Sequence, residues 1–444
     1  LEEVGVIARS AVAFCLVLSF PAAVRAEKDP VYALVGGRIV TVSGPTLESG
    51  TLVLRDGVID AVGAAVAVPA DARVIDAKGL TLTPGLIDAL GGVGLPAAPA
   101  ARPGGGGPGG GQPPPANPLA PQALALEKLR AADALKARDS GVTTVLVIPA
   151  EGVLPGRSAL LNLSGEKPEG MVLKQPAALH LRMTALRRQY PSSLMGTLAL
   201  ARQSLYDAIR YRDEWAAYER APRGKKRPRY DSALEAWQDV LSGRLPLVVG
   251  AHVTNDLRRA LALADEFKIR VIAAEAPSAH ALAELIRTRR LPLIVGVNFD
   301  PPRAAQFFGA DDEEKEKKDI EQAERNPAAL HKAGVAFALG SGHAKDYLAG
   351  VRKAIEKGLP REAALEALTL TAAEVLGVAD RTGSLETGKI ANVVAWSGEP
   401  LAKDTQVKLV FVDGRLHEPS PPEKPEDRKS SKPEVPAGGE ERVR

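Results

Sequence analysis

The sequence predicts the α/β class: a closed, TIM-like (β/α) barrel carrying a small β-sandwich built from both chain ends. Three observations point there. Short, nearly all-apolar runs alternate with amphipathic helical stretches through the middle of the chain, the pattern of a parallel sheet covered on both faces. Hairpin-spaced Val, Ile and Leu segments, cut by Gly-Gly, Asp-Gly and Lys-Gly, flank that middle on both sides. Of the 444 residues, roughly 300 lie between the flanks, a length that suits a barrel better than an open sheet.

The elements follow in chain order. Residues 1–26 read as a signal peptide: Arg9 precedes the apolar run 10–20, and Val24-Arg25-Ala26 places small residues at −3 and −1 of a cleavage site. Residues 27–82 read as hairpin-linked strands, with turns at 36–37, Asp56-Gly57 and Lys78-Gly79, and pair with 384–417 as the composite sandwich. The barrel is expected over 83–383, its strands at 142–148, 245–249, 269–273, 291–295 and 335–339, with helices such as Asp256–Phe267 between them. Residues 96–121 form a Gly/Pro-rich loop that cannot pack a core. The basic cluster from Arg220 to Arg229 reads as a solvated loop, and the Pro-rich, charged tail 418–444 as disordered.

Composition excludes several classes of function. Lys and Arg number 57 against 54 Asp and Glu, a net charge of +3, which argues against a nucleic-acid partner. Aromatics make up 4%, too few for stacking platforms. The single cysteine, Cys15, lies inside the leader, so disulfide scaffolds, Cys-based zinc modules and thiol nucleophiles are all excluded from the mature chain. A cysteine-free mature chain suits an exported, periplasmic or secreted protein, and no later apolar run is long enough to span a membrane.

Several segments resemble one family. Lys78-Gly-Leu-Thr-Leu-Thr-Pro-Gly-Leu-Ile-Asp88 is similar to the strand that leads from sandwich to barrel in the amidohydrolase superfamily. Ala372-Ala-Glu-Val-Leu-Gly377, Gly383-Ser-Leu-Glu-Thr-Gly-Lys389 and Ala391-Asn-Val-Val394 resemble its return to the sandwich. Asp256–Phe267 and Gly334–Ser341 are similar to its imidazolonepropionase-like branch. The resemblance runs from about Val31 to Leu416. It implies a (β/α)8 barrel and a metal-dependent hydrolase of C–N bonds in amides, imides or cyclic amidines. It also implies metal ligands at the C-terminal mouth: His-X-His after strand 1, His after strands 5 and 6, and Asp after strand 8.

At those positions the sequence carries Leu90 and Gly92, Gly250, Glu275 and Gly342. Leu offers no lone pair and Gly has no side chain, so a site with one remaining ligand should not hold its metal. The expectation is therefore a family member without metal cofactor, catalytically impaired, whose mouth still binds a small molecule. Its candidate pocket comprises His252, Glu275, Asn298, Asp300 and His343, with His180 as a second-tier candidate. The alternative is an active C–N hydrolase with a rebuilt zinc site on His252, Glu275 and His343, since two His and one Glu can make a catalytic zinc set. A third reading is an exported interaction protein. Partners on these readings are a small-molecule ligand, a second copy of the chain or an active paralogue. His280, His331 and His417 read as surface residues, and Ser341 as a family letter rather than a nucleophile.

Overall fold

The computed structural model describes residues 30–95, 118–149, 152–165, 167–186, 189–299, 310–342 and 346–419. The leader, most of loop 96–121, Asp300, His343 and nearly all of the tail lie outside the described residues. The N-terminal strands are β1 (Tyr32–Ile39), β2 (Leu47–Arg55), β3 (Val58–Gly63), β4 (Arg73–Asp76) and β5 (Thr81–Pro84). The middle holds β6 (Leu86–Gly91), β7 (Val142–Val147), β8 (Gly156–Arg157), β9 (Ala159–Asn162), β10 (Val172–Lys174) and β11 (Leu179–Arg182). It continues with β12 (Leu247–Ala251), β13 (Val271–Glu275), β14 (Leu293–Gly296) and β15 (Ala338–Gly340). The chain then returns through β16 (Val393–Trp396), β17 (Val407–Val412) and β18 (Arg415–His417).

Both chain ends enter one eight-stranded sheet, ordered β18-β17-β16-β5-β1-β2-β3 with β4 on β1. The join is the antiparallel pair β16–β5, where Trp396 lies opposite Thr81 and Val393 opposite Pro84. Trp396 is fully buried and its Nε1–H donates to Thr83 Oγ1 at 2.9 Å, so a large ring and its one polar atom are both accommodated. Asp56-Gly57 and Asp413-Gly414 take positive φ at both residues, the backbone that two-residue hairpins of this twist require.

The middle strands form two sheets, β10-β9-β7-β6 and β15-β14-β13-β12-β11-β8. From β11 to β15 every pair is parallel. Helices Leu194–Arg220, Thr254–Phe267, Ala283–Arg289 and Ala310–Lys332 separate these strands in sequence. Alternate strand residues divide into two cores: Leu247, Val249, Val271, Ala273, Leu293 and Val295 pack with helix residues such as Leu257 and Leu261. Val248, Ile272, Ile294 and Ala338 meet Ile87, Ala89, Leu146 and Leu160 from the other sheet instead. The period of two places one residue set toward the helices and the next toward the opposite strands. No helix among the described residues is long and apolar enough to cross a membrane.

The expected closed barrel and face-packed sandwich differ from these ladders. The terminal strands lie in one sheet, and the two middle sheets meet at β6 and β15 without a ladder among the described residues. The reason is local. Strand β6 carries irregular register between Asp88 and Gly91, so side-chain bonds and a single backbone bond make the join in place of a ladder. Buried Asp88 Oδ1 accepts from Leu90 N at 3.1 Å and from Ser341 N at 2.7 Å. Gly342 N donates to Leu90 O at 3.0 Å, and the Tyr347 hydroxyl reaches Leu339 O at 2.9 Å and Ile87 O at 3.2 Å. Gly340 is needed here, because a Cβ would strike the backbone of Leu90.

Asp88→Ala removes the acceptor of two buried N–H groups, each costing about 1–3 kcal/mol when orphaned. The variant should lose roughly 2–4 kcal/mol of unfolding free energy in urea, while Asp88→Asn, which keeps one acceptor oxygen, should lose less. Equal, small losses in the two variants would show that the seam does not depend on this carboxylate.

Candidate functional site

The candidate site lies at the C-terminal ends of β11, β12 and β13. Arg182 is the last residue of β11 and pairs in register with Gly250, which in turn faces Ala274. In the loop after β12, Asp256 Oδ2 accepts from the backbone N–H of His252 and of Val253, each at 3.1 Å. Asp256 is itself 2% exposed and sits in the first turn of helix Thr254–Phe267, where a carboxylate is favoured by the helix dipole. This cap turns His252 back over the strand end.

Glu275 reaches the same place through strained backbone. Glu275 and Ala276 have φ of 70° and 40°, a left-handed conformation that costs about 1–2 kcal/mol for each non-glycine residue. The kink is held from both sides: Ala276 N donates to Ala251 O at 3.0 Å, and Asn326 Nδ2 donates to Ala276 O at 3.0 Å. Asn326 is fully buried, and its Oδ1 also accepts from His280 N at 2.9 Å. Strain persisting because its surroundings over-determine it is a mark of functional sites.

The two side chains meet directly. His252 Nδ1 lies 2.7 Å from Glu275 Oε2, with side-chain exposures of 47% and 34%. Glu275 Oε1 and His252 Nε2 each stand 3.9 Å from where a Cβ on Gly250 would be, and nothing is nearer than 3.8 Å. A methyl group would therefore just fit over Gly250, in van der Waals contact with an imidazole and a carboxylate. The hydrogen bond to Glu275 raises the His252 pKa above its ordinary value against the opposing effect of burial. Burial lowers the pKa of the Arg182 guanidinium, and the charge of Glu275 opposes that shift.

His180 lies deeper on the same strand, two residues before Arg182 and flanked in register by Val248 and Gly156. Burial, with a smaller contribution from the charge of Arg182, drives its pKa down to about 3, so the ring is neutral at physiological pH. Its Nε2 is buried and has no hydrogen-bond partner among the described residues.

The other sequence candidates divide. Leu90 is 5% exposed and packs among the strand residues of the second core, so it supplies apolar floor. Gly92 follows β6 and its carbonyl accepts from Leu95 N at 3.1 Å. Asn298 Nδ2 donates to Gly342 O at 3.1 Å, tying the ends of β14 and β15 together. Asp300 and His343 lie outside the described residues. Ser341 Oγ donates to Leu90 O at 3.2 Å and is buried. His280 is part-buried against Asn326, and His417 pairs with Asp139 at 2.7 Å. The sequence reading passed over Arg182. The signal was present in Leu179-His-Leu-Arg182, where alternation puts an imidazole and a guanidinium on one face of an otherwise apolar strand.

Among the described residues, no three His, Cys, Asp or Glu side chains come together as a metal-binding group. His252, Glu275 and Arg182 form a cation–imidazole–carboxylate set instead.

Residues 255–417 match the amidohydrolase family. No curated protein matches the sequence. Among solved structures, an amidohydrolase from Thermotoga maritima MSB8 superposes with a TM-score of 0.73 at 24% identity, covering 87% of this chain and 99% of that one. A putative prolidase from Bifidobacterium longum gives 0.52 at 18% identity, covering 91% and 98%. A Xaa-Pro dipeptidase with methionine bound in its active site gives 0.56 at 16%, covering 87% and 100%. These likenesses show that the chain has a mixed α/β fold shared with amidohydrolases.

The two histidines should respond to pH in opposite senses. Folded His180, neutral down to about pH 3, binds fewer protons than the unfolded chain below about 6.5, so its burial costs stability as pH falls. His252 has a raised folded pKa, so its pairing contributes fully below about 6.5 and is lost as pH rises through the folded value. Imidazole NMR should show no His180 titration between pH 5 and 8, and a His252 midpoint above about 6.5 that falls in Glu275→Gln. A His180 midpoint near the ordinary value, or a His252 midpoint indifferent to Glu275, would overturn these assignments.

Proposed function

We propose that this is an exported amidohydrolase-type protein whose barrel mouth binds a small molecule without the metal-dependent C–N hydrolysis associated with the family. On this reading β6 and β15 are the first and last strands of one (β/α)8 barrel, closed through Asp88 and Tyr347, and the terminal sheet belongs to the family's β-sandwich. The observation that carries the proposal is what occupies the strand ends. Leu90, Gly92, Gly250 and Gly342 offer no side-chain donor, while Arg182, His252 and Glu275 balance one another's charge.

The described residues do not fit a divalent ion. Two adjacent donors, already hydrogen-bonded to each other and near a guanidinium, fall short of the three protein ligands a catalytic zinc needs. The polar pair beside Gly250 and the apolar Leu90 at the end of β6 have instead the mixed character of small-ligand sites. One observation favours the rebuilt metal site as a second reading. With Nδ1 held by a carboxylate, His252 presents Nε2 to the Gly250 position, the arrangement that orients many metal-binding imidazoles.

Elemental analysis of the purified protein should find well under one equivalent of Zn, Fe, Mn or Ni. In the same preparation N-acyl amino acids, dipeptides or cyclic imides should raise the melting temperature without being cleaved, because a ligand that binds only the folded state stabilises it. Stoichiometric metal that disappears in His252→Ala or Glu275→Ala, together with product release, would establish the rebuilt hydrolase in place of this reading.

A further inference from the structure

We propose that residues 220–230 are a docking tip that holds the protein against the headgroups of an anionic lipid bilayer. The tip is separate from the mouth, and the proposal does not depend on what the mouth binds. Arg220, Arg223, Lys225, Lys226, Arg227 and Arg229 fall close together, with no acidic residue among them. These cations outnumber the net charge of +3 on the whole chain, so the remainder is net negative. All of them are exposed, and none makes an ion pair among the described residues.

The tip stands away from the core and is held in shape. Helix Leu194–Arg220 has its last buried residue at Tyr211, so residues 212–220 carry the chain roughly 13 Å further. Along the shaft the cations are neutralised: Arg202 pairs with Glu266, Arg210 with Glu214 and Arg212 with Asp213. Beyond it the chain turns, with Lys225 N donating to Pro222 O at 3.2 Å and Gly224 at a φ of 74°. Lys225 Nζ donates to Ala217 O at 2.8 Å and Arg220 Nε to Ala216 O at 3.2 Å, which seats two cations on the negative end of the helix dipole. The Arg227 guanidinium lies 5.5 Å from the centre of the Trp215 ring, a cation–π contact. Trp215 in turn meets Tyr211 and Tyr218 edge-on, and the Tyr211 hydroxyl donates to Glu235 Oε2 at 3.1 Å, tying the returning chain to the helix. Three cations thus build the tip, and Arg223, Lys226 and Arg229 make none of these contacts.

Like charges held together repel one another, and an anionic surface relieves that repulsion. Each Lys or Arg brought to an anionic bilayer raises partitioning about five-fold. The net-negative remainder is repelled by the same surface, so only a projecting element can approach it. Two observations favour a bilayer over nucleic acid. The cations sit at the end of a projection, which a flat surface meets without the body drawing near. The face of Trp215 is covered by Arg227 instead of being offered to a base, while Tyr230, 65% exposed beside Arg229, is the kind of amphipathic ring found at headgroup level. No helix among the described residues is long and apolar enough to cross a membrane, so the contact proposed is peripheral.

The test is co-sedimentation of the full chain with vesicles of phosphatidylcholine, alone or with about 30% phosphatidylglycerol. Binding is expected to the anionic vesicles only, and should weaken at least about ten-fold between roughly 50 and 300 mM salt. Arg223→Glu, Lys226→Glu and Arg229→Glu together should weaken it about 100-fold or more. Arg361→Glu, Lys403→Glu and Lys408→Glu, the same change of charge on exposed residues elsewhere, should leave most of it. Trp215 supplies a readout that needs no variant. Trp237 and Trp396 are fully buried, so a fall in acrylamide quenching on anionic vesicles reports the tip. Equal binding to both kinds of vesicle, equal losses in the two triple variants, or quenching unmoved in the bound protein would each overturn the proposal. Duplex DNA or polyuridine bound at a salt concentration where anionic vesicles are not would assign the tip to nucleic acid instead. Failure to bind any of them would leave the segment a solvated loop.

Discussion

Asp88 accepts from Leu90 on its own strand and from Ser341, 253 residues further along the chain. That buried carboxylate therefore fixes where the last middle strand stands against the first. The ends of β14 and β15 inherit their position from this join. Gly342 is fixed through Leu90 O, Asn298 through Gly342 O, and the end of β14 through Asn298. The burial of that carboxylate is offset by the two backbone N–H groups that donate to it. Tyr347 closes the same seam from behind, its hydroxyl serving two carbonyls. Burial, and then the charge of Asp88, keep that phenol un-ionised far above its usual range.

A rigid frame lets the opposite side of the mouth carry strain. Two successive left-handed residues at the end of β13 would relax outward if they were not anchored. Asn326 and Ala251 supply the anchors, and the result is a carboxylate delivered to an imidazole at 2.7 Å. Asp256 does the matching work for His252 by collecting two backbone N–H groups. Neither member of the pair is left to find the other by side-chain flexibility. That pre-organisation lowers the ordering cost of binding anything that uses the pair.

Much of the mixed α/β organisation was legible because its signals are local. Alternating apolar runs mark β12 to β14, and Asp56-Gly57 and Asp413-Gly414 announce turns that need positive φ. Strand limits were less legible: a strand expected over 335–339 begins at Ala338, since an apolar run does not say where pairing starts. The candidate site was read in part. Glu275 and His252 were found from strand ends, but their contact depends on a kink at residues that are not glycine, where composition gives no warning. Arg182 was missed because a lone arginine ordinarily reads as surface. The role of Asp88 was illegible for a different reason: its partner is distant in sequence, and no local pattern encodes that encounter.

The comparison with amidohydrolases then separates two things the fold would otherwise merge. A shared architecture transmits strand order and the location of a mouth, not the chemistry installed there. In that family's mechanism a divalent ion supplies positive charge at the strand ends and a water of lowered pKa. In this chain the permanent positive charge at the end of β11 is a guanidinium, which can hold an anion by directed hydrogen bonds but has no coordination site with which to activate water. Glu275, which could serve a metal, is oriented by His252 and faces that guanidinium's charge instead. On the proposed reading, the donor-poor strand ends at Leu90, Gly92, Gly250 and Gly342 and the guanidinium at the end of β11 belong to a mouth that binds without activating water.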